Sequence, residues 1–226
     1  KQVVQEFVAG NGTDLPGRRN DLIGVVSFAR YTDVVCPMTF GHEALVHMVQ
    51  KLGTNDQPNE DGTAYGDASV LAAAHLKALE ENPRNPTFKS KVVVLLTDGE
   101  NNCGRHMPLQ AAALAADWGI RIYTISLRED SRSESVVAAS ERAPDELSSE
   151  HILERMATMT GGIFRTAHDF DSLQAVYREI DRLERTPLKA VEYAHFGEAY
   201  VPFALVALLL LILEHLLTAT WLRVAP

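Results

Sequence analysis

Residues 92–97 read VVVLLT, apolar on both faces of an extended chain, and DGENN follows at once. A strand carrying Val and Leu on both faces is covered on both faces, which places it inside a parallel sheet with helices above and below. In open α/β sheets, ligands sit beyond the carboxyl ends of such strands. The run therefore fixes an α/β layer architecture and marks Asp98, its first polar carboxylate, as a candidate site residue.

The rest of the chain alternates in the same rhythm. Residues 1–8, KQVVQEFV, place Val3, Val4, Phe7 and Val8 on one helical face with no N-cap before them, the tail of a helix. DLIGVVSFA gives a strand over 22–29, and TDVVCPMTF follows so closely that the two form an antiparallel hairpin, with Pro37 tolerated on an edge strand. Residues 42–52 form a helix with Leu45, Met48, Val49 and Leu52 inward, and an alanine-rich helix runs from about 68 to 81. NPRNP breaks the chain before VVVLLT. Then come a helix opened by Pro108 and closed by Gly119, the buried strand RIYTISL, the helix HILERMATMTGG and the short strand GIFRTA. A helix opened by Asp169 closes the domain, with Leu173, Val176, Tyr177, Ile180 and Leu183 inward. Residues 128–149, charged and serine-rich, make an exposed loop or insertion. The expected fold is doubly wound α/β with a mainly parallel sheet, over 1–183.

Residues 184–198 read as a linker to AYVPFALVALLLLILEHLLTATWL, over 199–222, which is long enough to cross a bilayer, for which about 20 apolar residues are needed. Tyr200 and Trp221 suit the two membrane interfaces. Glu214 and His215 sit in the last third of the segment, where a charge avoids the cost of about 3 kcal/mol that it meets at the bilayer centre. Arg223 after the span points to a cytoplasmic C-terminus and an outer, periplasmic domain.

A net charge of −9, with no basic stripe to neutralise phosphates, argues against nucleic acid as a partner. Cys36 and Cys103 form no CxxC pair, and the eight histidines include no HExxH. There is no GxxxxGK[ST] and no GxGxxG after a strand, and neither Ser27 nor Ser126 has the strand-to-helix setting of a hydrolase nucleophile.

Two loops can meet at the carboxyl end of such a sheet, one holding Asp61, Gly62 and Thr63 and the other Asp98, Gly99, Glu100 and Asn101. Hydroxyl and carboxylate oxygens are hard ligands suited to Mg²⁺, or to Mn²⁺ or Ca²⁺, yet a Thr and an Asp alone are only part of a site. Structural readings stand beside this one: Asp98 as a turn former, Thr63 as an N-cap, and Glu100 and Asn101 as solvated loop in place of a partner surface. Asp67 and Ser69 are expected to orient the loop without being ligands. A different class remains open as well, Mg²⁺-dependent phosphotransfer with Asp98 as nucleophile, although no second carboxylate or basic clamp is evident in the sequence.

VVVLLTDGENN, preceded by EDGTAYGDA and followed by an alanine-rich helix and RIYTISL, closely resembles von Willebrand factor type A (VWA) domains. More narrowly, TGGIFRTAHDFDSLQAVY and EIDRLERT running into an apolar segment resemble the VWA membrane proteins of bacterial aerotolerance operons, the Bat family. The resemblance implies a non-enzymatic module with a metal-ion-dependent adhesion site, in which a DxSxS loop, a threonine and an aspartate hold Mg²⁺ and a partner's acidic side chain completes the coordination. The threonine maps to Thr63 and the aspartate to Asp98, with Gly62, Gly99, Glu100 and Asn101 as partner surface around them. No DxSxS segment occurs in the chain. In the family it ends a first strand lying centrally between the strands at 22–29 and 92–97, so an N-terminally incomplete domain is expected, unstable or abnormally paired on its own. The resemblance further implies the bacterial inner membrane, other VWA or TPR membrane proteins as partners, and a link to MoxR-type AAA+ ATPases. A VWA module whose metal site has decayed is the third possibility.

Overall fold

The structure, a computed structural model, describes residues 1–12, 14–53, 61–82, 88–128, 149–185 and 200–220, the last with side chains over 205–216. The chain forms two compact units, Lys1–Arg185 and Thr186–Pro226. In the first, α1 (Gln2–Ala9) precedes the hairpin β1 (Ile23–Phe28) and β2 (Thr32–Thr39), then α2 (His42–Lys51) and α3 (Tyr65–Glu81). β3 (Val92–Thr97), α4 (Pro108–Asp117), β4 (Arg121–Leu127), α5 (Ser149–Thr160), β5 (Phe164–Ala167) and α6 (Phe170–Glu184) follow.

The strands make two sheets. β1 and β2 pair antiparallel, while β3, β4 and β5 pair parallel in that order. Among the described residues no strand lies between β1 and β3, so each presents an unpaired edge. The consequence is visible in burial: five central residues of β4 are buried, whereas in β3 only Leu95 and Thr97 are, and all of β1 is half-buried. VVVLLT is thus an edge strand of its sheet, and the interior position expected of it belongs to RIYTISL.

The period of two along a strand sorts side chains into two cores. Val93, Leu95 and Ile122 face Tyr65, Ala112, Ala115, Leu153 and Met156, from α3, α4 and α5. Val92, Val94, Leu96, Tyr123 and Ile125 face Val3 of α1 and Val176, Tyr177 and Ile180 of α6. A third cluster joins Val8, Cys36, Leu45 and Val49, with Val4 and Phe7 of α1 reaching both it and the second. Helices on both faces therefore bridge the two sheets even though their strands do not pair.

Two stripe assignments are corrected. Met48 is 40% exposed because the buried ridge of α2 is only Leu45 and Val49. Leu183 is 49% exposed, in the last turn of α6 beyond the buried Ile180. The α6 start matches its expected signal: Asp169 Oδ1 accepts from Ser172 N at 2.8 Å, and Ser172 Oγ accepts from Asp169 N at 3.0 Å. Cys36 and Cys103 are both free thiols.

The second unit holds α7 (Tyr200–Thr220), whose described side chains are all exposed. Among the described residues no helix is long and apolar enough to cross a membrane. Residues 129–148 of the expected insertion, most of the linker, Trp221 and Arg223 lie outside the described residues, and Ser149 belongs to α5.

Candidate metal and partner site

β3 ends at Thr97, whose Oγ1 bridges the N–H and carbonyl of Gly99, each at 3.3 Å. This local turn folds the chain back and leaves Asp98 exposed at the carboxyl end of the strand. The other loop arrives from the hairpin side. Ala64 N donates to Ala29 O at 2.8 Å, and Arg30 Nε donates to Asp61 O at 3.1 Å, so Thr63 is tethered to the end of β1. Asn102 N and Cys103 N both donate to Thr63 O, at 3.1 and 3.3 Å, which tethers it to the end of β3 as well. The Thr63 loop and the loop that follows β3 thus meet across the break between the sheets, with Gly99 next to Thr63. A Cβ placed on Gly99 would lie 3.3 Å from Thr63 Oγ1.

The start of α3 explains why the loops stay together. Its N-cap position is Ala64, which has no side chain to satisfy the free N–H groups of the first turn. One of them is satisfied from the neighbouring loop, where Asn101 Oδ1 accepts from Gly66 N at 2.9 Å, and just before the helix Asn102 Oδ1 accepts from Thr63 N at 2.8 Å. Asn101 Nδ2 also donates to Cys103 O at 3.1 Å. Thr63 therefore does not cap α3.

Asp67, in the first turn of α3, adds a charged acceptor. Its carboxylate accepts from Arg105 N at 2.9 Å and His106 N at 2.8 Å, and lies 2.7 Å from His106 Nδ1. Burial pushes its pKa up, but hydrogen bonds from these two backbone N–H groups and the His106 ring outweigh that and hold it below the usual carboxylate value. Gly66 permits the close approach, since a Cβ there would lie 2.1 Å from His106 O.

The oxygens around the site divide into two sets. Those of Asp67, Asn101 and Asn102 are engaged in joining the loops. Thr63 Oγ1 and the Asp98 carboxylate make no hydrogen bond among the described residues, and Glu100 is exposed beside them. Gly62 and Gly99 are half-buried. The free donors fit a hard divalent cation in kind, a hydroxyl and a carboxylate, and fall short of six-coordination in number. Among the described residues no group of three or more His, Cys, Asp or Glu could hold a metal ion.

The sequence pattern points to Asp98 and Thr63 but not to the work of Asn101, Asn102 and His106. The available signal was the run of Asx residues after a strand, since such side chains readily bond nearby backbone.

The family model for the von Willebrand factor type A domain matches residues 1–179. The chain belongs to this family. An uncharacterised protein of Borreliella burgdorferi is 26% identical over 230 residues, covering 99% of this chain and 62% of that protein. Among solved structures, the VWA unit is similar to the conserved hypothetical protein BatB of Bacteroides thetaiotaomicron, at 19% identity over 82% of this chain and 86% of that one, with a TM-score of 0.57. It is also similar to an aerotolerance-related membrane protein of Bacteroides fragilis, at 19% identity over 80% and 86% of the two chains, with a TM-score of 0.56. At these identities the two structures establish the VWA fold.

Proposed function

We propose that the chain is a non-enzymatic, membrane-anchored VWA module of the bacterial aerotolerance type that captures a protein partner through a divalent metal. The observation that carries this is the division of oxygens: Thr63 Oγ1 and the Asp98 carboxylate are left free at the carboxyl end of the sheet, while the polar side chains beside them are engaged in holding the loops. Thr63 and Asp98 would hold Mg²⁺, with further oxygens supplied from outside the residues described. The bound ion would supply open coordination positions for a partner's acidic side chain. Glu100 is exposed next to Asp98 in sequence, and Gly99 leaves Thr63 Oγ1 uncovered, since a Cβ there would lie 3.3 Å from it.

The anchor is proposed from the sequence, in which residues 199–222 form an apolar run of about the 20 residues that a bilayer crossing needs. Together with the Bacteroides fragilis relative, which is a membrane protein, this supports a membrane location; the bacterial inner membrane and a periplasmic VWA unit are proposed from the family resemblance and Arg223. Other VWA or TPR membrane proteins are the proposed partners, with a MoxR-type AAA+ ATPase functionally linked. A phosphotransfer role has less support, because the His106 ring on the neighbouring loop is already bonded to Asp67.

The test is capture of envelope proteins by the detergent-solubilised chain, in Mg²⁺ and in EDTA. Metal-dependent capture lost in Asp98→Ala is expected. Capture that is unchanged by EDTA and by the substitution would rule the proposal out.

A further inference from the structure

We infer that Asp67 is the positioning residue of this site: by holding the segment at 103–107 against the first turn of α3, it sets where the loop carrying Asp98 stands relative to Thr63. The inference rests on the metal-site reading above and adds to it a residue that touches neither metal nor partner.

Three observations converge on Asp67. The first is its hydrogen bonding: both oxygens face backbone N–H groups, Arg105 N to Oδ2 at 2.9 Å and His106 N to Oδ1 at 2.8 Å, with the His106 ring against the same Oδ1. Bonds from neutral donors to a carboxylate are the stronger class, and one side chain here fixes two consecutive peptide groups. The second is steric. Gly104 has φ +99°, which L side chains rarely adopt, and a Cβ there would lie 2.9 Å from Asp67 Oδ2 and 3.2 Å from Ala64 Cβ. The chain is shaped at that point to let the carboxylate in.

The third is what lies between Asp67 and the candidate ligands. The bonds of Asn101 to Gly66 N, of Asn102 to Thr63 N, and of the Asn102 and Cys103 amides to Thr63 O all join the same two loops. None of them involves Asp67. They fall on the short stretch of chain between Asp98 and the segment that Asp67 holds, so releasing 105–106 frees the far end of that stretch. Groups that orient metal-site residues without contacting the ion are commonly worth about 10–100-fold in metal affinity.

The experiment is amide hydrogen exchange on the full chain, comparing wild type with Asp67→Asn and, as a variant that leaves the carboxylate in place, Gly104→Ala. The predicted result in both is exchange about tenfold faster at Thr63, Gly66, Asn102 and Cys103, none of which bonds Asp67, with residues 122–126 of β4 unchanged. Faster exchange confined to residues 105 and 106 would overturn the inference, because Asp67 would then hold only its own partners. A matching rise in β4 would overturn it too, since the effect would be loss of overall stability. A second readout, Mn²⁺ affinity, is expected to fall about 10–100-fold in both variants. If the wild-type chain binds no Mn²⁺, it is the metal-site reading that fails, and the exchange pattern still decides the role of Asp67.

Discussion

β1 and β4 are both short, β-branched strands of one domain, and they are in very different states. β4 has a strand on each side and helices on both faces, and its Ile122 and Ile125 have no exposed surface. Among the described residues β1 has a partner only in β2, and every one of its residues is half-buried. The difference shows that helix cover is not sufficient to bury a strand. α1 and α3 bridge both sheets, yet without lateral pairing β1 keeps access to water. It also shows where the candidate site stands, at the carboxyl ends of β1 and β3, on the line where the sheet is interrupted.

The sharpest way to break this comparison is to cut equivalent volumes from each strand. Ile122→Ala, in the closed core, is expected to cost about 2–5 kcal/mol in urea unfolding of the chain. Ile23→Ala in β1 is expected to cost about 1 kcal/mol. Equal losses would mean that β1 is as well packed as β4.

A smaller effect is expected from polar closure at the start of β4. Ile122 N donates to Thr160 Oγ1 at 2.9 Å, and Thr160 is buried at the end of α5. Thr160→Val keeps the shape but strands that N–H, for an expected loss of about 1–3 kcal/mol by the same urea measurement. A neutral result would mean that water reaches β4 from this end and would weaken the contrast with β1.

The smallest effect is a pH dependence at the site loops. The folded-state pKa of Asp67 is lowered, so its contribution is complete above the unfolded value, about 4, and is lost as pH falls through the lower folded value. The stability difference between wild type and Asp67→Asn should therefore shrink as pH is lowered from about 6 to about 3. A difference that grows toward acid would reverse the sign assigned to this carboxylate.

Much of the fold was legible in particular stretches. VVVLLT and RIYTISL are strands because their apolar runs are too short and too β-branched for helices, and TDVVCPMTF pairs back on its predecessor because nothing separates them but a turn. Asp98 was legible as the first carboxylate beyond a strand. The break in the sheet was not readable from local pattern, since β3 has the composition of an interior strand; it was expected only from the family resemblance, which places a central strand between 22–29 and 92–97 that none of the described residues supplies. The true start of α3 at Tyr65, three residues before the expected 68, depends on an N–H acceptor from Asn101, 35 residues away in sequence. Met48 and Leu183 sit at the margins of their stripes, where the packing of the neighbouring element decides exposure. Asn101 and Asn102 carry a polar signature that suits a partner surface and an internal bracket equally well, and the structure gives both side chains the second task.

The central claim, that Thr63 and Asp98 act as one oxygen-donor pair, is tested most directly by titrating the chain with Mn²⁺ under electron paramagnetic resonance, alongside Thr63→Val and Asp98→Asn. Saturable binding in the wild type, weakened in both variants, with the double variant no worse than Asp98→Asn alone, is the result predicted for two ligands of one ion. Mn²⁺ binding that is unaffected by either substitution would contradict it.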